Sequence, residues 1–389
     1  MSQTNLIRAS HAGVLPRPAS LQEAGLAGPD GYDEFQRLLP GSVAEIVRRQ
    51  VQLGVDIVND GELSKRDGFS GYVRQRLGGI YQRPFKPGEE RPRNVNQRDQ
   101  RDFPGFYAAG LGMRRRPAGR TNSIPVAENP YFCNAPLTYV GKELLAVDVA
   151  NFATALEGTD VTGYLPAIAP GSIEHWLWNE HYHDDESFLY AIADAMHDEY
   201  AGIVQAGFLL QIDDPDLLDG WQMFPDMTVD EYRRYAELRV RALNHGLRDI
   251  PADRIRLHVC WGSQHGPHKD DIPLKDMIDL VLQVRAGSYS VEAANPGHEH
   301  EWKVWRSVEL PPGVDLMPGV VGHASTLIEH PELVAQRLLR YADIVGPERL
   351  IAGTDCGLAA RVEHPEIAWA KLESLTQGVR LANQELGLA

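Results

Sequence analysis

The sequence has little cysteine: Cys133, Cys260 and Cys356 are its only three, and they stand far apart along 389 residues. Three cysteines cannot build a disulfide framework, so we expect a protein of a reducing compartment, the cytoplasm. There a cysteine is more often catalytic or metal-bound than bridged. No stretch approaches the roughly 18 apolar residues that a membrane helix needs. Residues 1–13 also lack the apolar core of a signal peptide.

Positive charge is scarce as well, because 38 Lys+Arg stand against 54 Asp+Glu, a formal net charge of -16. A nucleic-acid-binding protein needs a basic footprint, so the balance argues against that class. Hydrophobic residues at 43% and charged residues at 24% are ordinary globular values and argue against global disorder. The length fits one large α/β-barrel domain or two ordinary domains.

Short apolar runs alternate with segments of helical spacing, the pattern of a parallel sheet. The predicted strands are Leu6–Ala9, Val55–Val58, Thr162–Ile168, Phe208–Ile212, Ile255–Val259, Ser288–Val291, Asp315–Val321 and Arg349–Ala352. Eight strands alternating with helices predict a single (β/α)₈ TIM barrel, of the α/β class, over residues 1–389.

Local signals delimit three of the helices. The apolar stripe from Leu189 to Ile203 steps by three or four residues, and Gly207 ends that helix. Thr228 and Glu231 form a capping-box pattern that opens a helix through about His245. A third helix has Pro331 near its start and Gly346 at its end, with an apolar stripe that runs from Leu333 to Ile344.

Residues 83–136 interrupt the alternation, with many Arg, Pro and Asn and no clear period. Residues 83–120 hold ten Lys/Arg against four Asp/Glu. The stretch is too long for an ordinary βα loop, so we interpret it as an irregular basic insertion that is ordered near the site. A disordered or merely solvated excursion fits the composition equally well.

Polar or metal-capable residues follow nearly every predicted strand. In a barrel, catalytic groups gather at the carboxyl ends of the strands. The residues at these positions are His11, Asp60, Glu62, Asp213, Asp214, His258, Cys260, Glu292, His323, Asp355 and Cys356. Packing alone does not explain such endings, because apolar strands do not require them.

The most specific of these patterns is His258 and Cys260, with Glu292 and Cys356 at the ends of other strands. Residues i and i+2 of an extended segment point to the same side, so His258 and Cys260 can bind one ion together. An imidazole, two thiolates and a carboxylate make a tetrahedral Zn²⁺ set. The alternative is that the cysteines are small buried hydrophobes and His258 is a hydrogen-bonded core histidine.

Zinc with two thiolates and an exchangeable carboxylate indicates a specific chemistry. The ion lowers the pKa of an incoming thiol, and Glu292 is the ligand that this sulfur displaces most easily. The predicted reaction is therefore alkyl transfer to a thiol. Hydrolysis by zinc-bound water is the competing use of such a site.

The acidic residues and the other histidines have separate interpretations. Asp60 and Glu62 after one strand, and Asp213 and Asp214 after another, could together hold an ammonium group, and the alternative for these residues is helix N-capping. His323 could donate a proton to a leaving nitrogen. His11 could orient groups near the floor of the site. For both histidines a surface or capping role is the alternative.

The sequence resembles the cobalamin-independent methionine synthase family, specifically its C-terminal catalytic barrel and related single-barrel proteins. The resemblance covers nearly the whole chain. It is carried by HAGVLPRP (residues 11–18), NDGELSKRD (59–67), QIDDP (211–215), HVC (258–260), VEAANP (291–296) and GTDCGL (353–358). The last three carry the zinc pattern of the family.

The resemblance implies a (β/α)₈ barrel with His258, Cys260, Glu292 and Cys356 as zinc ligands. It also implies that Glu62 and Asp213 receive the amino group of homocysteine, and that His323 assists proton delivery to the folate. The chain departs from the family at the turn after His11, which reads Ala-Gly-Val, and at Asp-Asp-Pro, residues 213–215, where the family has Asp-Glu-Pro. The two-barrel enzymes also carry a second barrel for which 389 residues leave no room.

Three functions follow as hypotheses. The first is a zinc-dependent methyltransferase that moves a methyl group from a methyl-folate (5-methyltetrahydropteroylglutamate) or related donor to homocysteine. The second is a thiol-alkylating enzyme of the epoxyalkane:coenzyme M transferase type, and the third is a non-catalytic barrel. Glu62 and Asp213 favour an acceptor with an amine over a sulfonate. The expected partners are thus small molecules, with neither nucleic acid nor membrane, and homo-oligomerisation stays open.

Overall fold

The computed structural model of the chain describes residues 6–66, 68–89, 96–109, 130–262, 265–359, 361–362 and 364–388. Part of the predicted insertion at 83–136, and the motif residue Asp67, lie outside the described residues. The strands are β1 (Arg8–Ala9), β2 (Ile57–Val58), β3 (Leu77–Gln82), β4 (Tyr131–Tyr139), β5 (Thr162–Ile168), β6 (Leu177–Asn179), β7 (Leu209–Asp213), β8 (Ile255–Val259), β9 (Ser288–Val291), β10 (Asp315–Val321) and β11 (Ile351–Thr354).

Eight parallel strands form a nearly closed barrel, which confirms the predicted (β/α)₈ fold. Their order around the barrel is β1, β11, β10, β9, β8, β7, β5 and β2, and each neighbouring pair is parallel. All eight predicted strands are present. Those of β5, β8, β9 and β10 have the predicted bounds.

The seam between β1 and β2 is closed by hydrogen bonds rather than by a regular ladder. The backbone N–H of Asp56 donates to the carbonyl of Ala9 at 3.0 Å, and the N–H of Ala9 donates to the Asp56 carboxylate at 2.6 Å. The hydroxyl of Ser10 donates to the carbonyl of Ile57 at 2.9 Å. These bonds satisfy the edges that an open sheet would leave exposed.

Helices surround the barrel. They are α1 (Ala19–Leu26), α2 (Tyr32–Leu53), α3 (Gly68–Gly71), α4 (Gln97–Asp102), α5 (Pro104–Ala108), α6 (Lys142–Leu156), α7 (Pro170–Glu174), α8 (Asp185–Gln205), α9 (Asp216–Asp219), α10 (Val229–Gly246), α11 (Ile278–Val281), α12 (Pro331–Val345) and α13 (Pro365–Glu385). The capping box of Thr228 and Glu231 at the start of α10 is confirmed. Across the described ranges, no helix combines the length and apolar character required to cross a membrane.

A second, smaller sheet lies beside the barrel, with strand order β3, β4 and β6. The first pair is antiparallel and the second parallel. β4 begins inside the predicted insertion, and α4 and α5 lie within it, so the described part of the insertion contains regular structure.

Helix α4 attaches the insertion to the barrel. The guanidinium of Arg98 donates to the carbonyls of Trp221, Phe224 and Met227 at 2.5 to 2.9 Å. The same group lies 3.3 Å from the centre of the Trp221 ring. Arg98 is almost fully buried, so its hydrogen bonds and the ring contact fix α4 on the loops that follow β7.

Candidate metal and thiol-binding site

Two cysteines and a histidine meet at the carboxyl end of the barrel. His258 lies in β8 and Cys260 directly follows that strand, whereas Cys356 follows β11 by two residues. The ligand atoms of these three side chains lie within 4.8 Å of one another. His258 is 2% exposed and Cys260 1%, so these two donors are shielded from bulk water, whereas Cys356 is partly exposed.

The two sulfurs of this cluster are electrostatically different. The Cys260 thiol donates to the sulfur of Cys356, and with the neighbouring His258 it holds the pKa of Cys356 well below its ordinary value. The same contact with Cys356 raises the pKa of Cys260. Burial works to lower the pKa of His258, but Cys356 and Asp213 outweigh it, and the pKa is raised. The cluster therefore favours a thiolate at Cys356 over one at Cys260.

The orientation of His258 suits a metal ligand. Its Nδ1 lies 3.0 Å from the hydroxyl of Ser290, which orients the ring. Its buried Nε2 has no nitrogen or oxygen hydrogen-bond partner among the described residues. An oriented imidazole beside two sulfurs is a donor set that Zn²⁺ takes in proteins. These residues thus fit a zinc site with one further position.

Glu292 belongs to a second buried cluster, together with His323 and Asp355, whose ligand atoms also lie within 4.8 Å of one another. Its Oε2 accepts a hydrogen bond from the backbone N–H of Trp261 at 3.0 Å, and its Oε1 accepts one from the Asn295 amide at 2.9 Å. The four predicted zinc ligands therefore do not form one group. Three meet, and hydrogen bonds hold the carboxylate beside them.

Asp355 connects the two clusters, although the sequence did not single it out beyond its place before Cys356. Its Oδ1 accepts hydrogen bonds from the backbone N–H groups of Ala293 and Ala294, both at 2.8 Å. These are the two residues that follow Glu292. The Asp355 carboxylate therefore fixes the loop that carries Glu292 relative to the strand end that carries Cys356.

We expect Asp355→Ala to weaken zinc binding by about 10- to 100-fold, the usual effect of removing a group that orients metal ligands. Competition with a chromophoric chelator measures this. Asp355→Asn is the matched control, because its amide oxygen can still accept from both N–H groups, and it should retain most of the affinity. Unchanged zinc affinity in the alanine variant would contradict the conclusion that Asp355 fixes the Glu292 loop relative to Cys356.

His323 is buried beside Glu292 and Asp355, at 1% exposure. Neither of its ring nitrogens has a hydrogen-bond partner within the described residues. Buried polar groups are rarely left without partners. Its nitrogens are therefore free to form hydrogen bonds with a bound molecule, or with one of the two carboxylates after a small movement.

The two carboxylates predicted to receive an ammonium group are both buried. Asp213 ends β7, and its Oδ1 accepts a hydrogen bond from the amide of Gln211 at 2.7 Å. Burial and the charge of Glu62 raise the pKa of Asp213 to about 7. Glu62 itself forms an ion pair with Lys65, whose Nζ lies 3.0 Å from its Oε2. Lys65 was not among the predicted site residues.

His11 is engaged by the protein on both ring nitrogens. Its Nε2 lies 2.8 Å from the amide oxygen of Gln50, and its Nδ1 lies 3.3 Å from the hydroxyl of Tyr164. Burial lowers the pKa of His11 to about 4, so the ring is neutral at physiological pH. This geometry suits a residue that orients its surroundings more than one that binds substrate directly.

Trp261 was also not predicted, although it directly follows Cys260. Its ring stacks on that of His298 with centroids 3.6 Å apart and an interplanar angle of 12°. Burial works against a charge on His298, but Asp271 and Glu301 raise its pKa to about 9. The charged ring holds Trp261 in place, and with it the backbone N–H that binds Glu292.

The sequence of the chain is similar to those of known proteins. Residues 134–381 match the family model described as cobalamin-independent synthase, catalytic domain. The methionine synthase of Sulfurisphaera tokodaii is 24% identical, with 99% of this chain and 95% of that protein covered. The methionine synthase of Thermococcus kodakarensis is 26% identical, with 98% and 95% covered.

Solved structures show the same fold. A B12-independent methionine synthase from Shewanella sp. W3-18-1, in complex with selenomethionine, superposes with a TM-score of 0.71 at 18% identity, and 99% of this chain and 100% of that one are covered. A putative vitamin-B12 independent methionine synthase from Listeria monocytogenes gives a TM-score of 0.66 at 17% identity, with 98% of each chain covered.

Proposed function

Because the chain belongs to the cobalamin-independent synthase catalytic-domain family, we propose that it is a zinc-dependent methyltransferase. It moves a methyl group from a methyl-folate, 5-methyltetrahydropteroylglutamate or a related donor, to the thiol of homocysteine and so forms methionine. The observation that carries the proposal is that His258, Cys260 and Cys356 come together at the carboxyl end of the barrel, the first two buried and the third partly exposed.

His258, Cys260 and Cys356 would hold the zinc, with Glu292 as the exchangeable ligand beside them. Bound zinc would lower the pKa of the acceptor thiol, so that it reacts as a thiolate. The hydrogen bonds from Trp261 and Asn295 give the carboxylate of Glu292 a stable place beside the sulfurs. With zinc bound, Glu292 would be the residue most readily exchanged for the substrate sulfur, because these hydrogen bonds keep its carboxylate from becoming an unpaired buried charge.

The acceptor is fixed by its amino group. Glu62 and Asp213 are buried carboxylates whose charges interact, and an ammonium group between them would relieve their repulsion. Binding through this group orients the thiol towards the three metal ligands. His11, bonded to Gln50 and Tyr164, supports the floor of this pocket.

His323 is placed to pass a proton to the leaving nitrogen of the donor. Its nitrogens have no hydrogen-bond partner within the described residues, and it lies beside Glu292 and Asp355. A histidine so placed can deliver a proton to a nitrogen as its bond to the methyl group breaks.

An acceptor with a sulfonate, as in the coenzyme M type of reaction, would need a cation directed at it. Lys65 is the cation paired with Glu62. It also donates to the carbonyl of Pro166 at 2.7 Å and faces the Tyr72 ring at 4.4 Å. Its three N–H directions are therefore used within the protein. This arrangement favours an amine over a sulfonate.

Zinc-edge X-ray absorption on the zinc-loaded protein, with and without homocysteine, tests the proposal. We expect homocysteine to add a third sulfur to the zinc shell and to remove one oxygen or nitrogen. Coenzyme M is the control thiol and should leave the spectrum unchanged. A response to coenzyme M alone would favour the thiol-alkylating alternative, and a protein that binds no zinc would exclude both reactions.

A further inference from the structure

We propose that Lys65 determines which thiols the site accepts, because it holds Glu62 in the orientation that receives a single ammonium group. This inference rests on the proposed function and deepens it. It assigns a positioning role to a residue that touches the recognition carboxylate but has no hydrogen-bonding capacity left for the substrate. The expected acceptors are thiols with one amino group placed as in homocysteine.

Lys65 is a buried ammonium surrounded by acidic groups. Its side chain is 8% exposed, and that of Glu62 is 3% exposed. Besides the ion pair with Glu62, its charge acts on Asp60, Asp213 and Glu199. Burying a charge is costly unless it is paired, so the carboxylates around Lys65 compensate its burial. In return, Lys65 acts on the carboxylates of the site.

The three N–H groups of Lys65 have separate targets. One donates to Oε2 of Glu62 at 3.0 Å, one to the carbonyl of Pro166 at 2.7 Å, and the remaining side of the ammonium faces Tyr72. Lys65 therefore has no N–H left for the substrate and acts on it through the carboxylates, directly through its hydrogen bond to Glu62. By binding Oε2, it leaves the other carboxylate oxygen as the one that can face a ligand.

That other oxygen, Oε1 of Glu62, lies against Gly13. A Cβ atom on Gly13 would stand only 2.9 Å from it, and Gly13 has a φ of 146°. The turn that contains Gly13 is also one of the places where the sequence departs from the family pattern. Glycine here leaves the space beside Oε1 open, so a ligand group can approach it next to the barrel mouth.

The backbone around Glu62 is also fixed. Glu62 has a φ of 55°, the left-handed region that non-glycine residues seldom adopt. Its N–H donates to the Asp60 carboxylate at 2.9 Å, and its carbonyl accepts from the N–H of Lys65 at 3.1 Å. Arg17 donates to the carbonyls of Leu63 and Lys65. Strained backbone that is held this firmly indicates a functional placement of the side chain.

Two consequences of removing Lys65 oppose each other. Loss of a positive charge would by itself strengthen the attraction for an ammonium group. Without Lys65, however, Glu62 loses the hydrogen bond that orients it and is repelled by Asp213. Because a charged hydrogen bond within a buried pair is strong and directional, we expect the loss of orientation to dominate.

The test compares two thiols on the zinc-loaded protein by calorimetry. Homocysteine is 2-amino-4-mercaptobutyrate, and 4-mercaptobutyrate lacks only its amino group. We expect Lys65→Met to weaken homocysteine binding by about tenfold or more, the range for a charged hydrogen bond, while 4-mercaptobutyrate changes by less than about twofold. Lys275→Met, a change of an exposed lysine, should alter neither constant.

The ratio of the two dissociation constants separates recognition from general damage, because misfolding weakens both thiols equally. A second variant removes the buried unpaired charge: Glu62→Gln with Lys65→Met should bind homocysteine no more weakly than Glu62→Gln alone. If Lys65→Met prefers homocysteine over 4-mercaptobutyrate as strongly as the wild-type protein does, or more strongly, the role of Lys65 is overturned but the proposed acceptor is not. A wild-type protein without that preference would overturn the proposed acceptor and, with it, this inference.

Discussion

Replacement of Cys260 or Cys356 by serine is expected to remove bound zinc and to reduce methyl transfer by at least about 10³-fold. Both sulfurs lie within 4.8 Å of the ligand atom of His258. Serine keeps the shape of the side chain but not the soft, easily ionised donor, and zinc bound by thiolates does not accept a neutral hydroxyl in its place.

The measurements are zinc per chain by elemental analysis and turnover with homocysteine and a methyl donor. Cys133→Ser is the matched control, since Cys133 is fully buried but lies in β4, in the smaller sheet. Its thiol donates to the carbonyl of Ala135 at 3.3 Å, a hydrogen bond that a serine hydroxyl can also make. It should keep both zinc and activity. Full activity in either Cys260→Ser or Cys356→Ser would show that the metal assignment is wrong.

The barrel strands could be predicted because each is a short apolar run between polar residues. β5, β8, β9 and β10 have the predicted ends and β7 is shifted by one residue, whereas β1, β2 and β11 differ from prediction by up to two residues at one or both ends. These three strands are two to four residues long, and their ends depend on which neighbour supplies a hydrogen bond. That information is not local to the sequence.

The smaller sheet could not be predicted from the sequence. β3 contains two adjacent glycines and β4 contains Pro136, both of which weaken a local strand pattern. β6 has only three residues, and it pairs with β4 across more than forty positions of the chain. Pairing of this kind is decided by tertiary packing, not by periodicity.

The site was predictable where its residues share one strand. His258 and Cys260 are two residues apart in extended backbone, so their common direction follows from geometry. The contacts of Glu292 could not be predicted in this way. Its hydrogen bonds to Trp261 and Asn295 and its cluster with His323 depend on the conformation of the loops. Lys65 stands three residues after Glu62 in a motif that was recognised, but nothing in that spacing shows that the two side chains pair.

Arg76→Leu is expected to lower the free energy of unfolding by about 3–5 kcal/mol, the cost of removing one partner from a buried ion pair. The guanidinium donates to both oxygens of Glu199, at 3.1 and 3.0 Å, and to Asp148 at 2.6 Å. Its side chain is 5% exposed, and those of Glu199 and Asp148 are 3% and 11% exposed. Leucine would leave two carboxylates without their cation.

Denaturant unfolding at neutral pH measures this loss. Arg76→Lys keeps one charge but not the two-pronged geometry, so its cost should be intermediate. The control is Arg37→Leu, since Arg37 pairs with Glu34 on the surface at 68% and 50% exposure. Because this pair is exposed to solvent, that change should leave the free energy of unfolding close to that of wild type. An Arg76→Leu protein as stable as the control would show that the smaller sheet is not anchored to the barrel through this arginine.

The destabilisation in Arg76→Leu should also depend on pH in a defined direction. Burial already raises the pKa of Glu199, with Arg76 opposing it, so removal of the guanidinium raises the pKa further. A carboxyl whose pKa is higher in the folded than in the unfolded state contributes stability at low pH and loses it as the pH rises through the folded pKa. The difference from wild type should therefore shrink as the pH falls from about 8 to about 5. A constant difference across that range would mean that the lost stability comes from packing and not from the uncompensated charge of Glu199.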